Sequence, residues 1–136
     1  MMIVRRFFTW FFSRPSEPLS RLGIVAWWEI RRIPYNLIVG IIGVISLLLF
    51  FVFISLAHEL KPGEDAVEPM ALFAAPIAAN ICYTGGWIVE FLLSAVRRKG
   101  SSSVGLVLLK LGVVFSVVIV LVPSVVWFVI WIARSV

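Results

Sequence analysis

Residues 37–57 read LIVGIIGVISLLLFFVFISLA and contain no charged side chain. A bilayer core about 30 Å thick requires about 20 apolar residues in an α-helix, because the helix rises about 1.5 Å per residue. The stretch is therefore long enough to cross a membrane. Pro34 precedes it and suits a first helical turn, where a missing N–H costs no hydrogen bond. The sequence predicts a membrane-spanning helix over residues 34–57.

Two later stretches have the same character. Residues 69–96 and 104–133 carry one charged residue each, Glu90 and Lys110. Both stretches are longer than a bilayer requires, which favours tilted helices or ends that protrude into the headgroups. The predicted fold is an all-α integral membrane protein with three transmembrane helices. Loops at 58–68 and 97–103 join the helices, and a basic amphipathic arm at 1–33 precedes them on the lipid interface.

The composition of the chain excludes several classes of protein. Its 136 residues are 62% hydrophobic and 14% charged, whereas soluble domains are roughly 45–50% apolar and about 25% charged. A soluble globular enzyme and a disordered tail are therefore excluded. With one cysteine, Cys82, and one histidine, His58, an intramolecular disulfide and the usual Cys/His zinc sites are excluded too. We expect no enzymatic activity, no metal, no cofactor and no nucleic-acid partner.

Charged residues divide unevenly between the segments outside the predicted spans. The arm carries six arginines and two glutamates, and the 97–103 loop carries three basic residues. The 58–68 loop carries four acidic residues and one lysine. Because basic segments remain on the cytoplasmic side, we expect a multipass protein of the bacterial inner (plasma) membrane, with a cytoplasmic N-terminus and an external C-terminus. The basic segments would also attract anionic lipids.

The arm holds two candidate interfacial segments. Residues 1–12 read MMIVRRFFTWFF, which is too short to span a membrane but suits the lipid interface. After two prolines, residues 19–33 form one apolar and one charged helical face. This pattern predicts a helix that lies flat on the cytoplasmic leaflet until Pro34 turns the chain inward. Trp27, Trp28 and Tyr35 fit an aromatic belt at that interface.

Two interpretations of the arm use the same residues. The arm can anchor the protein and fix its orientation, or it can dock another subunit. In both cases, arginines of the arm and of the 97–103 loop would contact anionic lipids or a partner. These arginines are Arg21, Arg31, Arg32, Arg97 and Arg98.

Polar residues of the second predicted span fall on one helical stripe, which should face protein or water because polar side chains are costly in hydrocarbon. Glu90 and Lys110 would reach similar depth in antiparallel helices and could form an ion pair. Alternatively, Glu90 could be a protonatable group on a proton or cation path, or it could be protonated while Lys110 extends to the headgroups. The candidate intramembrane polar site comprises Glu90, Lys110, Asn80, Tyr83 and Thr84.

Small residues line one face of the first and third spans and lie side by side in the second. Small side chains let membrane helices approach closely. They therefore predict helix packing, either within a three-helix bundle or against another chain. The candidate packing residues are Gly40, Gly43, Gly85, Gly86, Gly105, Gly112 and Ser116.

Three classes of function are compatible with this organisation. Three helices with isolated polar groups favour a non-enzymatic accessory or scaffold subunit of a membrane complex or homo-oligomer. The alternative is a small oligomeric transporter or channel with Glu90 as a protonatable or cation-interacting group. A membrane enzyme or lipid-handling protein is third, because clustered acids, histidines or metal ligands are lacking. The expected partners are membrane lipids, anionic on the cytoplasmic side, and other membrane subunits or a second copy.

Overall fold

The computed structural model describes residues 2–15, 19–57, 69–96 and 104–135, the side chains of 69–73 excepted. Over these ranges the chain forms no strand and the helices α1 (Met2–Phe11), α2 (Arg21–Ala57), α3 (Pro69–Val96) and α4 (Val104–Ser135). By length and composition, α2, α4 and the Ala74–Val96 part of α3 could each cross a membrane. The predicted all-helical fold with three candidate spans is confirmed. The two loops predicted at 58–68 and 97–103, including Arg97 and Arg98, lie outside the described residues.

The first span is longer than predicted. α2 is one helix of 37 residues, about 55 Å long at the usual helical rise, and it continues through Pro34. Proline removes the hydrogen bond to the carbonyl four residues earlier and crowds that carbonyl, but the residues on both sides of Pro34 remain helical. The prediction of a separate interfacial helix that ends at Pro34 is therefore wrong, because residues from Arg21 onward belong to the same helix as the span.

α2 and α4 run parallel. The Tyr35 hydroxyl lies 2.7 Å from the Ser116 hydroxyl, and the Ser46 hydroxyl lies 3.0 Å from that of Ser124. Residue numbers thus increase in the same direction along both helices. The pairing continues to the ends of the two helices, where the rings of Phe53 and Trp131 stack 6.1 Å apart.

α3 runs antiparallel to α2. Trp28 bonds Glu90, and Asn36 bonds Asn80, so residue numbers change in opposite directions along the two helices. We call the end of the bundle near Trp28 and Glu90 the polar end. The opposite end, near Phe53 of α2 and Trp131 of α4, is the aromatic end.

The most deeply buried side chains lie toward the polar end. Trp28, Tyr35, Phe11 and Leu109 are each less than 2% exposed. Trp27 is also buried, so the predicted aromatic belt of Trp27, Trp28 and Tyr35 is wrong. These rings turn inward because α3, α4 and the segment after α1 cover that side of α2.

Outward-facing side chains of the two parallel helices are apolar over a membrane's thickness. On α4 this surface runs from Leu111 to Ile132, about 32 Å along the axis. On α2 it runs from Ile33 to Leu56, about 35 Å, interrupted by exposed Asn36 and Ser55. Both lengths match a hydrocarbon core of about 30 Å.

Candidate functional site

Glu90 on α3 is the only buried carboxylate among the described side chains, and it is 3% exposed. It forms an ion pair with the Nη2 atom of Arg14, whose side chain is 6% exposed. It also accepts a 2.7 Å hydrogen bond from Trp28 Nε1. Arg14 lies between α1 and α2, so the carboxylate of Glu90 holds the N-terminal segment, α2 and α3 together.

Gly105 brings the beginning of α4 to the same ion pair. A Cβ atom at this position would overlap the Arg14 guanidinium and the Glu90 carboxylate. α4 therefore reaches the pair because residue 105 has no side chain. Gly105 is one of the predicted packing residues, and the structure places it inside the bundle.

Arg31 fastens α1 to α2. Its side chain is buried and donates to the carbonyl oxygens of Trp10 (3.1 Å), Phe11 (3.0 Å), Ser13 (2.9 Å) and Trp27 (3.2 Å). The last carbonyls of a helix lack intrahelical partners and carry partial negative charge. The Arg31 guanidinium, which also lies 4.2 Å from the centroid of the Trp27 ring, therefore caps α1. It is an internal residue rather than the predicted contact with lipid or a partner.

Tyr83 and Gly86 complete the α2–α3 contact around Trp28. The Tyr83 hydroxyl donates to the Trp28 carbonyl at 2.5 Å, and the two rings meet edge to face at 5.1 Å. A Cβ at Gly86 would lie 3.0 Å from the Trp28 ring. Gly86, another predicted packing residue, thus gives the indole the room that it needs to reach Glu90.

A second polar contact between α2 and α3 involves Arg32. Its Nη2 atom bonds the Glu29 carboxylate at 2.8 Å and the Thr84 hydroxyl at 3.1 Å. The Arg32 side chain is 30% exposed. It therefore differs from Arg14 and Arg31, because part of its surface is open to the surroundings of the bundle.

Asn36 and Asn80 form a reciprocal amide pair one turn farther along. Each Nδ2 donates to the other side chain's Oδ1, at 3.2 and 3.1 Å, and Asn80 Nδ2 also bonds the Pro76 carbonyl. Tyr35 makes the corresponding contact on the interior, where its hydroxyl bonds Ser116. The predicted polar stripe of α3 thus faces α2, as Thr84, Asn80, Tyr83 and Glu90 all bond it.

Lys110 does not join this network. Its side chain is exposed on α4, and although both residues are described, it forms no ion pair with Glu90. Arg14 binds one oxygen of the carboxylate and Trp28 the other, whereas Lys110 lies on an exposed part of α4. The structure therefore pairs Glu90 with Arg14 in place of the predicted Lys110.

The remaining candidate packing residues divide into two groups. Ser116 is buried between α2 and α4, whereas a Cβ at Gly40, Gly43, Gly85 or Gly112 would meet nothing within 4 Å. These four glycines do not mediate close packing within the chain.

Of the predicted surface arginines in the described ranges, Arg21 is exposed, with its guanidinium 5.9 Å from the centroid of the Phe91 ring.

Several buried donors at the polar end have no acceptor among the described residues. They are Arg14 Nε, Arg14 Nη1, Arg32 Nε and Trp87 Nε1. Donors are therefore in excess over acceptors at this end. The ranges that the structure describes hold no group of three or more His, Cys, Asp or Glu side chains placed to bind a metal ion.

Comparison with known protein families, curated proteins and solved structures finds no match to the chain. The site is therefore interpreted from its own chemistry. A carboxylate held by a guanidinium and an indole N–H is fixed in position and shielded from solvent. This arrangement joins separate segments of a protein.

The sequence did not identify Arg14 as a site residue. It placed Arg31 and Trp28 at the lipid interface, whereas both lie in the interior of the bundle. Arg14 lies in a proline-interrupted segment, and nothing in its neighbourhood signals that it returns to the bundle. Trp28 carried a usable signal, because an indole N–H needs a partner when it is buried, and Glu90 is an acceptor at a similar level of the membrane.

Proposed function

We propose that the protein is a small, non-enzymatic accessory or scaffold subunit of a membrane complex or homo-oligomer. The observation that carries the proposal is the engagement of Glu90. Its carboxylate binds Arg14 and Trp28 and packs against Gly105. The buried carboxylate, which is the best candidate for a chemical role, therefore holds the N-terminal segment in place. Because Glu90 is bonded within the chain, we assign the function to the outer surface of the bundle.

The alternative, a transporter or channel that uses Glu90, has less support. Beyond Tyr35, α2 and α4 meet through rings, such as Phe50 against Trp127 and Phe53 against Trp131, and through Ser46. Ser46 donates to the Val120 carbonyl at 2.6 Å and bonds Ser124. A proton or cation leaving Glu90 along this interface would therefore meet hydroxyls that are already bonded and then hydrocarbon.

We also propose that the polar end faces the cytoplasm of a bacterium and that the protein resides in the inner membrane. The support is the positive-inside rule together with the apolar outer surface that begins just beyond Arg32 and Lys110. Reporter fusions at Gly63, Ser102 and Val136 should report external, cytoplasmic and external locations. A cytoplasmic signal from the Val136 fusion would overturn the orientation and the three-span topology.

The scaffold proposal is tested by association in mild detergent. Gly112 has open space around it, so Gly112→Leu should leave the bundle folded while it disturbs any helix that packs there. We expect native mass spectrometry to detect a bound partner or a second copy that Gly112→Leu removes. Val114→Leu, a change at an exposed position of the same helix, is the matched control.

A monodisperse monomer that binds nothing and is unchanged by Gly112→Leu would overturn the scaffold proposal. A Glu90→Gln protein of normal stability that loses a proton-dependent or cation-dependent flux in vesicles would favour the transporter instead.

A further inference from the structure

α3 carries an open groove along the face that adjoins α2. The groove runs from Pro76 to Ile88, with Ile77 and Ile81 on its apolar side and Asn80 and Thr84 on its polar side. Gly85 also lines it, and a Cβ there would meet nothing within 4 Å. No side chain fills the groove at this position.

The length of the groove fits one leaflet of a bilayer. Pro76 and Thr84, which lies beside Arg32, are about 12 Å apart along the axis of α3, and one leaflet is about half of a hydrocarbon core about 30 Å thick. A second transmembrane helix would need a complementary surface through both leaflets. A single lipid needs one only.

The charge around the groove is positive. Arg32 lies beside Thr84, a groove residue, and its side chain is 30% exposed. The other cations at this level of the bundle are Arg14, Arg21, Arg31 and Lys110, and the described anions are Glu29 and Glu90.

The described cations around the groove outnumber the described anions, so a bound anion would be stabilised there. Arg14 and Glu90 neutralise each other, and Arg32 shares Glu29, whose side chain is 45% exposed. Arg31 binds carbonyl oxygens and has no carboxylate partner among the described residues. A phosphate group next to Arg32 would supply both negative charge and hydrogen-bond acceptors.

We propose that this groove binds one phospholipid with an anionic headgroup. The headgroup phosphate contacts Arg32, which bonds Thr84 at the edge of the groove, and an acyl chain lies along Ile81, Ile77 and Pro76, toward the middle of the membrane. Gly85 leaves the space that the lipid occupies. This inference does not depend on the scaffold proposal, because it concerns a different face of the bundle from Gly112.

The test measures lipid retention by the delipidated full chain in detergent. Phosphatidylglycerol and phosphatidylcholine with the same acyl chains are titrated separately, and bound lipid is counted by native mass spectrometry. We expect one tightly bound phosphatidylglycerol per chain. Arg32→Gln should weaken its binding about tenfold, as expected for one charged hydrogen bond, and phosphatidylcholine should bind weakly to both proteins.

Two further variants distinguish a defined site from general attraction. Gly85→Leu should fill the groove and abolish the tight phosphatidylglycerol site. Lys110→Gln removes an exposed cation at the same level on α4 and should leave that site unchanged. Thermal unfolding of each variant without lipid checks that the bundle is intact.

Four results would overturn the proposal. Equal retention of the two lipids, or equal losses in Lys110→Gln and Arg32→Gln, would indicate diffuse attraction instead of a site. Displacement of the lipid by millimolar inorganic phosphate would show that the acyl chain contributes nothing. Conversion of a dimer to a monomer by Gly85→Leu would show that a second copy occupies the groove.

Discussion

The two ends of the bundle are held by different forces. At the polar end, Glu90 joins α3 to α2 and to the N-terminal segment through charged and indole hydrogen bonds. At the aromatic end, Phe53 lies 5.1 Å from Phe128 and 6.1 Å from Trp131 between ring centroids, without a charged contact among these rings. The comparison indicates how a small membrane protein fixes one arrangement of its helices.

Apolar packing alone is a weak determinant of arrangement in a membrane. Lipid tails are as apolar as the side chains they replace, so burying a ring between helices gains mainly van der Waals contact. A buried charged group gains much more stability from a bonding partner, because an unpaired buried charge is very costly. The polar end should therefore dominate stability and specificity, and the aromatic end should tolerate change.

The largest effect is expected from Glu90→Gln. The change leaves the Arg14 guanidinium buried without its counter-charge, and breaking one partner of a buried pair costs about 3–5 kcal/mol. The free energy of unfolding in detergent, followed by tryptophan fluorescence, should fall accordingly. The Arg14→Met/Glu90→Gln double variant should lose less than the two single variants together.

Lys110→Met is the control for that prediction. Because Lys110 is exposed and unpaired with Glu90, its substitution should change the free energy of unfolding by less than about 0.5 kcal/mol. Strict additivity of Arg14→Met and Glu90→Gln, or a loss in Lys110→Met as large as in Glu90→Gln, would contradict the ion pair described above.

Arg31→Met should have the next largest effect and should act locally. It removes the cap that binds the carbonyl oxygens of Trp10, Phe11 and Ser13, at a cost of about 2–3 kcal/mol for the lost charged hydrogen bonds. Amide hydrogen exchange should accelerate in α1 more than in α4. Equal acceleration in both helices would show that Arg31 supports the whole bundle rather than the docking of α1.

Gly86→Ala should destabilise the protein, whereas Gly85→Ala should not. The new methyl group at position 86 would lie 3.0 Å from the ring of Trp28, which is 1% exposed and cannot move aside. Overpacking costs about 1–3 kcal/mol of stability. The higher helix propensity of alanine relative to glycine offsets up to about 1 kcal/mol of that cost. Thermal unfolding should separate the two variants, and identical midpoints would contradict the close contact at Trp28.

Among the substitutions that remove a contact, the smallest effect is expected from Ser46→Ala, on the aromatic side of Tyr35. The change removes the bonds to the Val120 carbonyl and to Ser124. Hydrogen bonds between membrane helices average about 0.6 kcal/mol, so the unfolding free energy should fall by roughly that amount. A loss as large as that of Glu90→Gln would remove the distinction between the two ends.

The helices could be predicted from the sequence because crossing a membrane imposes a length. α3 begins and ends at the residues predicted for the second span, and α4 extends two residues beyond the third. Pro34 misled the prediction of α2, since a proline in a long helix need not end it. Hydropathy identifies where a helix can cross, but it leaves open how far the helix continues beyond the membrane.

The inward and outward faces of the helices could not be predicted with the same success. A helical wheel separates apolar from polar faces, but both lipid and the protein interior are apolar. Trp27 and Trp28 suit a lipid belt as well as a core, and Gly40 and Gly86 suit either surface. The structure places Gly86 against Trp28 and leaves open space around Gly40, a difference that depends on how the helices rotate against their neighbours.

The parallel pairing of α2 and α4 also determines when the protein can complete its fold. The hydrogen bonds between these helices join residues 74 to 81 positions apart, and the Arg14–Glu90 pair spans 76 positions. Contacts between distant parts of a chain form late, and chains are synthesised from the N-terminus. During synthesis the first span therefore enters the membrane without its main neighbour. Until α4 has been synthesised, Tyr35 and Ser46 of α2 lack their partners Ser116 and Ser124.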